Sequence, residues 1–304
     1  MKRILVIGYS QSGQLYEILT NFLKPFQGVE IEQVKIHTET PFPFPWTSDV
    51  FFNTMPESVL EEPVKLAPYT LKSTTYDLII LGYQPWYLSP SIPTTSLLKD
   101  AQFLSVLKGT PVVTVIGARN MWLGAHESVV NSIEGAGGKV VGNVPLIDRH
   151  QNLVSAMSIL HWMLTGKKER KWGVLPYPGV SKKDIEEVEN FGKKVFEAFQ
   201  KGAYKGLQDE ILATNKIDIH PSILLVEMRG KRLFLAWANL IKKKSANSKK
   251  RSFWVNMYKY YLLVALFIVS PIVLTIYTLL IRPFIGKSIQ KQKDHFLYLG
   301  IART

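Results

Sequence analysis

Between Lys259 and Arg282 lie 22 residues, Tyr260 to Ile281, without one charged side chain. As a helix this run extends roughly 33 Å, close to the hydrocarbon thickness of a bilayer. Pro271 sits in its middle, which spanning helices tolerate when neighbouring groups satisfy the freed carbonyl. Tyr258, Tyr260 and Tyr261 gather at one end, as interfacial aromatics do. Lys242, Lys243, Lys244, Lys249, Lys250, Arg251 and Lys259 precede the run, and Arg282, Lys287, Lys291 and Lys293 follow it. The positive-inside rule then predicts a single-pass C-terminal anchor in the inner membrane, with the body in the cytoplasm. The lysines would draw anionic headgroups. Just upstream, Leu233 to Ile241 is apolar but too short to span. It reads equally as an interfacial helix or as a core helix of the body.

The formal net charge is +13, and its distribution matters more than its size. Residues 1–222 carry 22 Lys/Arg and 22 Asp/Glu, whereas residues 223–304 carry 15 Lys/Arg against only Glu227 and Asp294. A neutral body with its basic excess around an apolar run disfavours nucleic acid as a partner. The apolar run Ile4 to Ile7 is too short for the core of a signal peptide. There is no cysteine, which excludes disulfides, thiolate metal sites and cysteine nucleophiles.

The body alternates strands and helices. Apolar, β-branched runs at Arg3–Gly8, Val29–Ile36, Asp77–Gly82, Thr110–Gly117 and Lys139–Ile147 read as buried parallel strands. Helical spacing appears over 14–25, 94–108, 122–135 and 151–165. The expected fold class is α/β: a doubly wound five-stranded parallel sheet with a C-terminal helical membrane-anchoring tail. Residues 1–169 form the body. Within it, 37–76 is an insertion whose Thr40-Pro-Phe-Pro-Phe-Pro-Trp46 stretch can be neither helix nor central strand and carries aromatics over the site. Residues 170–222 read as a linker and an amphipathic helix over 182–200, and 223–259 as a basic membrane-surface segment. The span is 260–281, and 282–304 is a short basic tail.

In such sheets ligands bind at the carboxyl ends of the strands, at the topological switch point. The first loop, Tyr9-Ser10-Gln11-Ser12-Gly13-Gln14, joins a strand to a helix, where free N–H groups and short hydroxyls make a phosphate nest. It is neither a Walker A loop nor Gly-x-Gly-x-x-Gly. The third-strand loop offers Gln84, Pro85, Trp86 and Tyr87, and the fourth offers Ala118, Arg119, Asn120 and Trp122. Together they read as a monophosphate nest beside aromatic faces, which fits FMN. The six histidines have no metal-ligand spacing, and no Gly-x-Ser-x-Gly elbow occurs.

These three loops resemble those of the flavodoxin-like, NAD(P)H:FMN-reductase-related superfamily. With Pro41-Phe-Pro-Phe-Pro-Trp46 and Asp148-Arg149-His150 added, the chain more closely resembles proteins of dialkylresorcinol and flexirubin pigment clusters in Bacteroidetes, often labelled condensing enzymes. The label conflicts with the residues, because a condensing enzyme needs a nucleophilic cysteine. The resemblance instead implies the aromatase step: a separate ketosynthase makes a 2,5-dialkylcyclohexane-1,3-dione, and this chain oxidises it to the resorcinol with FMN. Flavodoxins usually place a further Ser/Thr where this chain has Leu15, which removes one hydroxyl from the nest.

On this reading a lipophilic cyclic diketone, or a quinone-like compound, stacks among Trp86, Trp122 and Trp46. Arg119 stabilises the developing enolate. His126 or His150 is the base, with Asp148 orienting His150 or pairing with Arg149. Two other readings compete: a general NAD(P)H-dependent flavin or quinone reductase, and a non-catalytic membrane scaffold that recruits the ketosynthase. By analogy alone, flavodoxin-like reductases lead one to expect a homodimer.

Overall fold

The computed structural model describes residues 2–302. The five strands of the main sheet are β1 (Arg3–Gly8), β2 (Glu30–Lys35), β3 (Leu78–Tyr83), β4 (Pro111–Ala118) and β5 (Lys139–Ile147). All pair in parallel, in the order β2-β1-β3-β4-β5. This is the flavodoxin order, whose switch point lies between β1 and β3.

Strand side chains alternate between two faces, so the sheet has two cores. Leu5, Ile7, Ile79, Leu81 and Ile116 face one core, which α4 (Ile92–Leu97), α5 (Ala101–Leu107) and α6 (Leu123–Gly135) complete. Ile4, Val6, Leu78, Ile80 and Val115 face the other, covered by α1 (Gln14–Phe22), α9 (Glu189–Lys201) and α10 (Leu207–Leu212). At the switch point a Cβ on Gly8 would stand 2.0 Å from the Gly82 carbonyl oxygen. Gly8 therefore lets β1 and β3 close tightly just before their loops diverge, and Gly82 makes room for Leu19 of α1.

The helix expected over 94–108 is broken, because Asp100 accepts a hydrogen bond from Phe103 N (3.1 Å) and caps a new start. That over 182–200 divides at Val188 into α8 (Lys182–Glu187) and α9, with Ser181 capping α8. In 37–76 the Pro-aromatic stretch is irregular, but α2 (Ser48–Asn53) and α3 (Met55–Val59) follow it. The sequence reading missed these helices, although Thr47 is a good N-cap whose hydroxyl accepts from Val50 N (3.2 Å).

The segment read as a linker, 170–181, is held down. Gln14 exchanges two hydrogen bonds with the Val180 backbone (3.0 and 3.1 Å), which lays Gly179 and Val180 against the start of α1. Beyond it α11 (Pro221–Lys244) absorbs the Leu233–Ile241 stretch. Its Ala238 and Ile241 are buried beside Phe52, Met55 and Val59, while Leu233 and Leu235 stay exposed.

The apolar run belongs to one 37-residue helix, α12 (Ser248–Phe284), and only 6% of its most apolar stretch is buried. Its backbone widens to π-type turns at Ala265–Val269, immediately before Pro271, which has no N–H to donate to the preceding turn. Residues 282–302 are not a free basic tail. They turn into α13 (Gly286–Leu297), which buries Ile289 and Phe296 in the body's core. Gln208 Nε2 donates to Leu297 O (2.8 Å), and Lys293 pairs with Asp218 (2.6 Å).

Candidate functional site

A cavity of about 1090 Å³ opens above the carboxyl ends of β1, β3 and β4. That is the upper end of the range for ligand pockets, roughly 300–1,000 Å³. Its floor is polar: Gln11, Ser12, Gln14, Gln84 and Arg119. Its walls are apolar, from Trp46, Trp86, Trp162 on α7 (Asn152–Thr165), Leu224 and Phe234 on α11, and a long stretch of α12.

The first loop builds the floor. Gly13 takes φ +85°, the left-handed region open to glycine, and so turns the chain into α1 without a side-chain cap. Among the described residues the N–H groups of Ser12, Gly13 and Gln14 find no acceptor, and Leu15 N donates to Ser10 Oγ (3.2 Å). Three orphan donors at the start of a nine-residue helix form the nest that a phosphate requires. Ser10 does not line the cavity, and Ser12 is the hydroxyl of this loop that does. Gln11 ties the loops together: its N–H donates to Gln84 Oε1 (3.1 Å), its amide to Pro43 O (2.6 Å), and its Oε1 accepts from the Tyr9 hydroxyl.

Trp86 is buried and sits edge-on to Trp46 (5.0 Å between centroids) and Phe42 (5.1 Å), so the Pro-aromatic stretch packs onto the third-strand loop. Trp46 N donates to Met163 O (2.8 Å), which fixes that stretch to α7. The indole N–H groups of Trp46 and Trp86 are buried and have no partner among the described residues. Pro85 and Tyr87 also line the cavity, and the Tyr87 hydroxyl donates to Phe51 O (2.5 Å).

Arg119 reaches the floor from the end of β4, with Ala118 beside it. Its Nη1 donates to the Asn152 carbonyl (2.9 Å) and side-chain oxygen (2.6 Å), which holds the guanidinium at the start of α7. Burial pulls its pKa down to about 10, against the opposing pull of Asp148 and Glu227, so it stays charged at neutral pH.

Other expected site residues lie elsewhere. Asn120 is buried and donates to Asn152 Oδ1 (3.0 Å), and Trp122 is buried at the start of α6. Neither lines the cavity. His126 is fully buried in α6, its Nδ1 3.1 Å from the Tyr83 hydroxyl, and burial drives its pKa down to about 3. An imidazole that stays neutral there is too weak a base near pH 7 and does not reach the cavity. His150 also stands outside it, with Nδ1 2.6 Å from Asp148 Oδ1. Asp148 is buried and accepts from Ser155 Oγ (2.7 Å), while Arg149 pairs instead with Asp184 (3.2 Å). Among the described residues no carboxylate or imidazole lines the cavity.

Sequence reasoning missed the walls, and it missed Glu227. This buried carboxyl on α11 accepts from Gly124 N (2.8 Å) and so caps α6 from another helix. Burial raises its pKa to about 8 although the α6 amides oppose it, and its Oε2 has no partner among the described residues. Glu227 is one of only two acidic residues, with Asp294, in a basic 82-residue stretch, and that was the signal available.

No family model and no curated protein matches this chain. Solved structures do. A flavoprotein in complex with FMN from Lactobacillus acidophilus is 18% identical, with a TM-score of 0.39 over 48% of this chain and 93% of its own. Oxidised flavodoxin 1 from Bacillus cereus is 17% identical, with a TM-score of 0.33 over 66% of this chain and 98% of its own. An azoreductase from Bacillus anthracis is 11% identical, with a TM-score of 0.33 over 64% of this chain and all of its own. The fold itself stands on the strand order and register described above.

Proposed function

We propose that this chain is a membrane-attached, FMN-dependent oxidoreductase acting on a lipophilic ring substrate, and specifically the aromatase that oxidises a 2,5-dialkylcyclohexane-1,3-dione to a dialkylresorcinol. The observation that carries the reading is the division of one cavity into a polar, phosphate-ready floor and an apolar surround. The free N–H groups of Ser12, Gly13 and Gln14 would hold the phosphate, and Gln84, Pro85 and Tyr87 would flank the ring system. Bound FMN would supply a two-electron acceptor for a hydride from the substrate ring.

The chain's own residues bind and polarise the dione. Arg119, charged and immobilised by Asn152, faces the oxygen that gains charge as the ring enolises. A C–H between two carbonyls is acidic by itself, so polarisation at Arg119 can promote enolisation with water taking the proton, and no side-chain base is needed. The alkyl chains lie along Leu224, Phe234 and α12.

The test has two stages. Protein purified in mild detergent should carry flavin absorption that is released on unfolding and identified as FMN. It should then convert the dione to resorcinol with no pyridine nucleotide added. A protein that neither carries nor takes up FMN ends the redox reading. Rapid quinone reduction that depends on NAD(P)H, with no dione turnover, replaces the aromatase by a general reductase.

A further inference from the structure

Both ends of α12 are fastened to the same body. At its start Arg251 pairs with Glu57 (2.9 Å) and donates to the Asn53 carbonyl (2.8 Å), Lys259 bonds Ser48 (3.2 Å), and Val255 and Tyr258 are buried against α2 and α3. Toward its end Tyr277 is buried in the core, and α13 then docks Ile289 and Phe296 into that core. A helix crossing a bilayer would carry residues 282–302 about 30 Å from the body and break every contact made by α13.

Yet the helix is apolar on two sides. Tyr260, Ile268, Ile272 and Leu280 are exposed and do not line the cavity. Val264, Leu266, Val269, Val273, Ile276 and Tyr277 do line it. A helix that is hydrophobic all round is either buried in protein or immersed in lipid, and here one face meets a cavity and the other meets neither core nor charge. The rim is cationic: Arg229 and Arg232 are exposed where they line the cavity, and Lys249, Lys250, Arg282 and Lys287 are exposed around the two helix ends. That charge is complementary to anionic headgroups.

We propose that α12 does not cross the bilayer but lies in one leaflet of an anionic membrane, where it forms the wall between the acyl chains and the cavity. Alkyl-bearing substrate then moves sideways from the lipid, past α12 and α11, to the polar floor, and its chains never enter water. The proposal deepens the function above and rests on its lipophilic substrate.

The chain has no cysteine, so one introduced thiol reports alone. Ser105→Cys lies on the body and Ser288→Cys just beyond α12, and both positions are exposed. Each full-length variant is added to sealed, preformed vesicles of phosphatidylcholine with phosphatidylglycerol, then treated with a membrane-impermeant maleimide. Both thiols should label fully without permeabilisation, and binding should fall about tenfold when phosphatidylglycerol is left out, as expected for several surface lysines. Labelling of Ser288→Cys only after detergent shows a crossing and overturns the proposal. So does a protein that stays off vesicles as a soluble dimer, its exposed face covered by a second copy.

The lateral route is tested with dansyl-undecanoic acid as an alkyl-chain probe. Leu266→Trp should fill the wall and weaken binding about tenfold, whereas Ile272→Trp, the same bulk on the exposed face, should leave it within about twofold. Equal binding by a folded Leu266→Trp variant and the parent removes the route. Neither readout involves flavin or turnover, so a colourless protein would end the redox reading and leave this one to be judged separately.

Discussion

The floor and the walls of the cavity are built on opposite principles. The floor consists of short loops at strand ends, where three glutamines and one arginine are fixed by hydrogen bonds of 2.6–3.1 Å beside free backbone amides. The walls consist of aromatic and aliphatic side chains from five separate stretches of chain, held by packing. A floor of directional bonds suits a small polar group in one orientation. Walls of non-directional contacts suit chains of varied length. The two regions should therefore fail differently when changed.

The largest effect is expected where a wall helix is anchored. Phe296→Ala removes the ring that docks α13 and should cost about 3 kcal/mol of stability. Urea unfolding in detergent measures this. A loss below about 0.5 kcal/mol, the usual size of a surface change, would mean that α13 is not held on the body.

Next comes the floor. Arg119→Gln keeps a donor but removes the charge, and should lower kcat/KM for the dione about a hundredfold, or about 2.7 kcal/mol, with stability nearly unchanged. A change only in KM would make Arg119 a binding group and not a stabiliser of charge.

Glu227 connects wall to body, and its effect should appear as pH dependence. Its carboxyl ordinarily titrates near 4.5 and in the folded chain near 8. Between those values the folded state holds a proton that the unfolded state has lost. Stability from this group is therefore fully present below the lower value and is lost as pH rises to the upper, by at most about 1.4 kcal/mol per pH unit. Glu227→Gln should flatten the fall in unfolding free energy between pH 5 and pH 8. An unchanged slope would show that Glu227 is ionised in the folded protein.

The smallest effect is expected at His150. It lies outside both floor and walls, so His150→Ala should change dione turnover by less than about twofold, within the range of a surface substitution. A hundredfold loss would return it to the mechanism and would require the cavity to extend past Asp148.

The strands were legible because a parallel sheet buried on both faces demands continuous apolar runs, as in Leu78–Tyr83. The nest was legible because Ser10 to Gln14 are adjacent in sequence, so a local pattern specifies a local shape. The histidines were not. His126 and His150 have the right chemistry, but whether an imidazole meets water, core or substrate depends on helices packed from far along the chain.

The sheet, the loops that line its carboxyl edge and a long apolar helix follow from short-range periodicity and local turn chemistry, which any stretch of the chain carries within itself. That the apolar helix walls a cavity, that residues 282–302 return to the body, and that Glu227 caps α6 across 103 positions of chain came from long-range packing. Those outcomes depend on which apolar faces meet one another. Hydrophobic contact is non-directional, so a stripe of leucines encodes the need for a partner but not its identity.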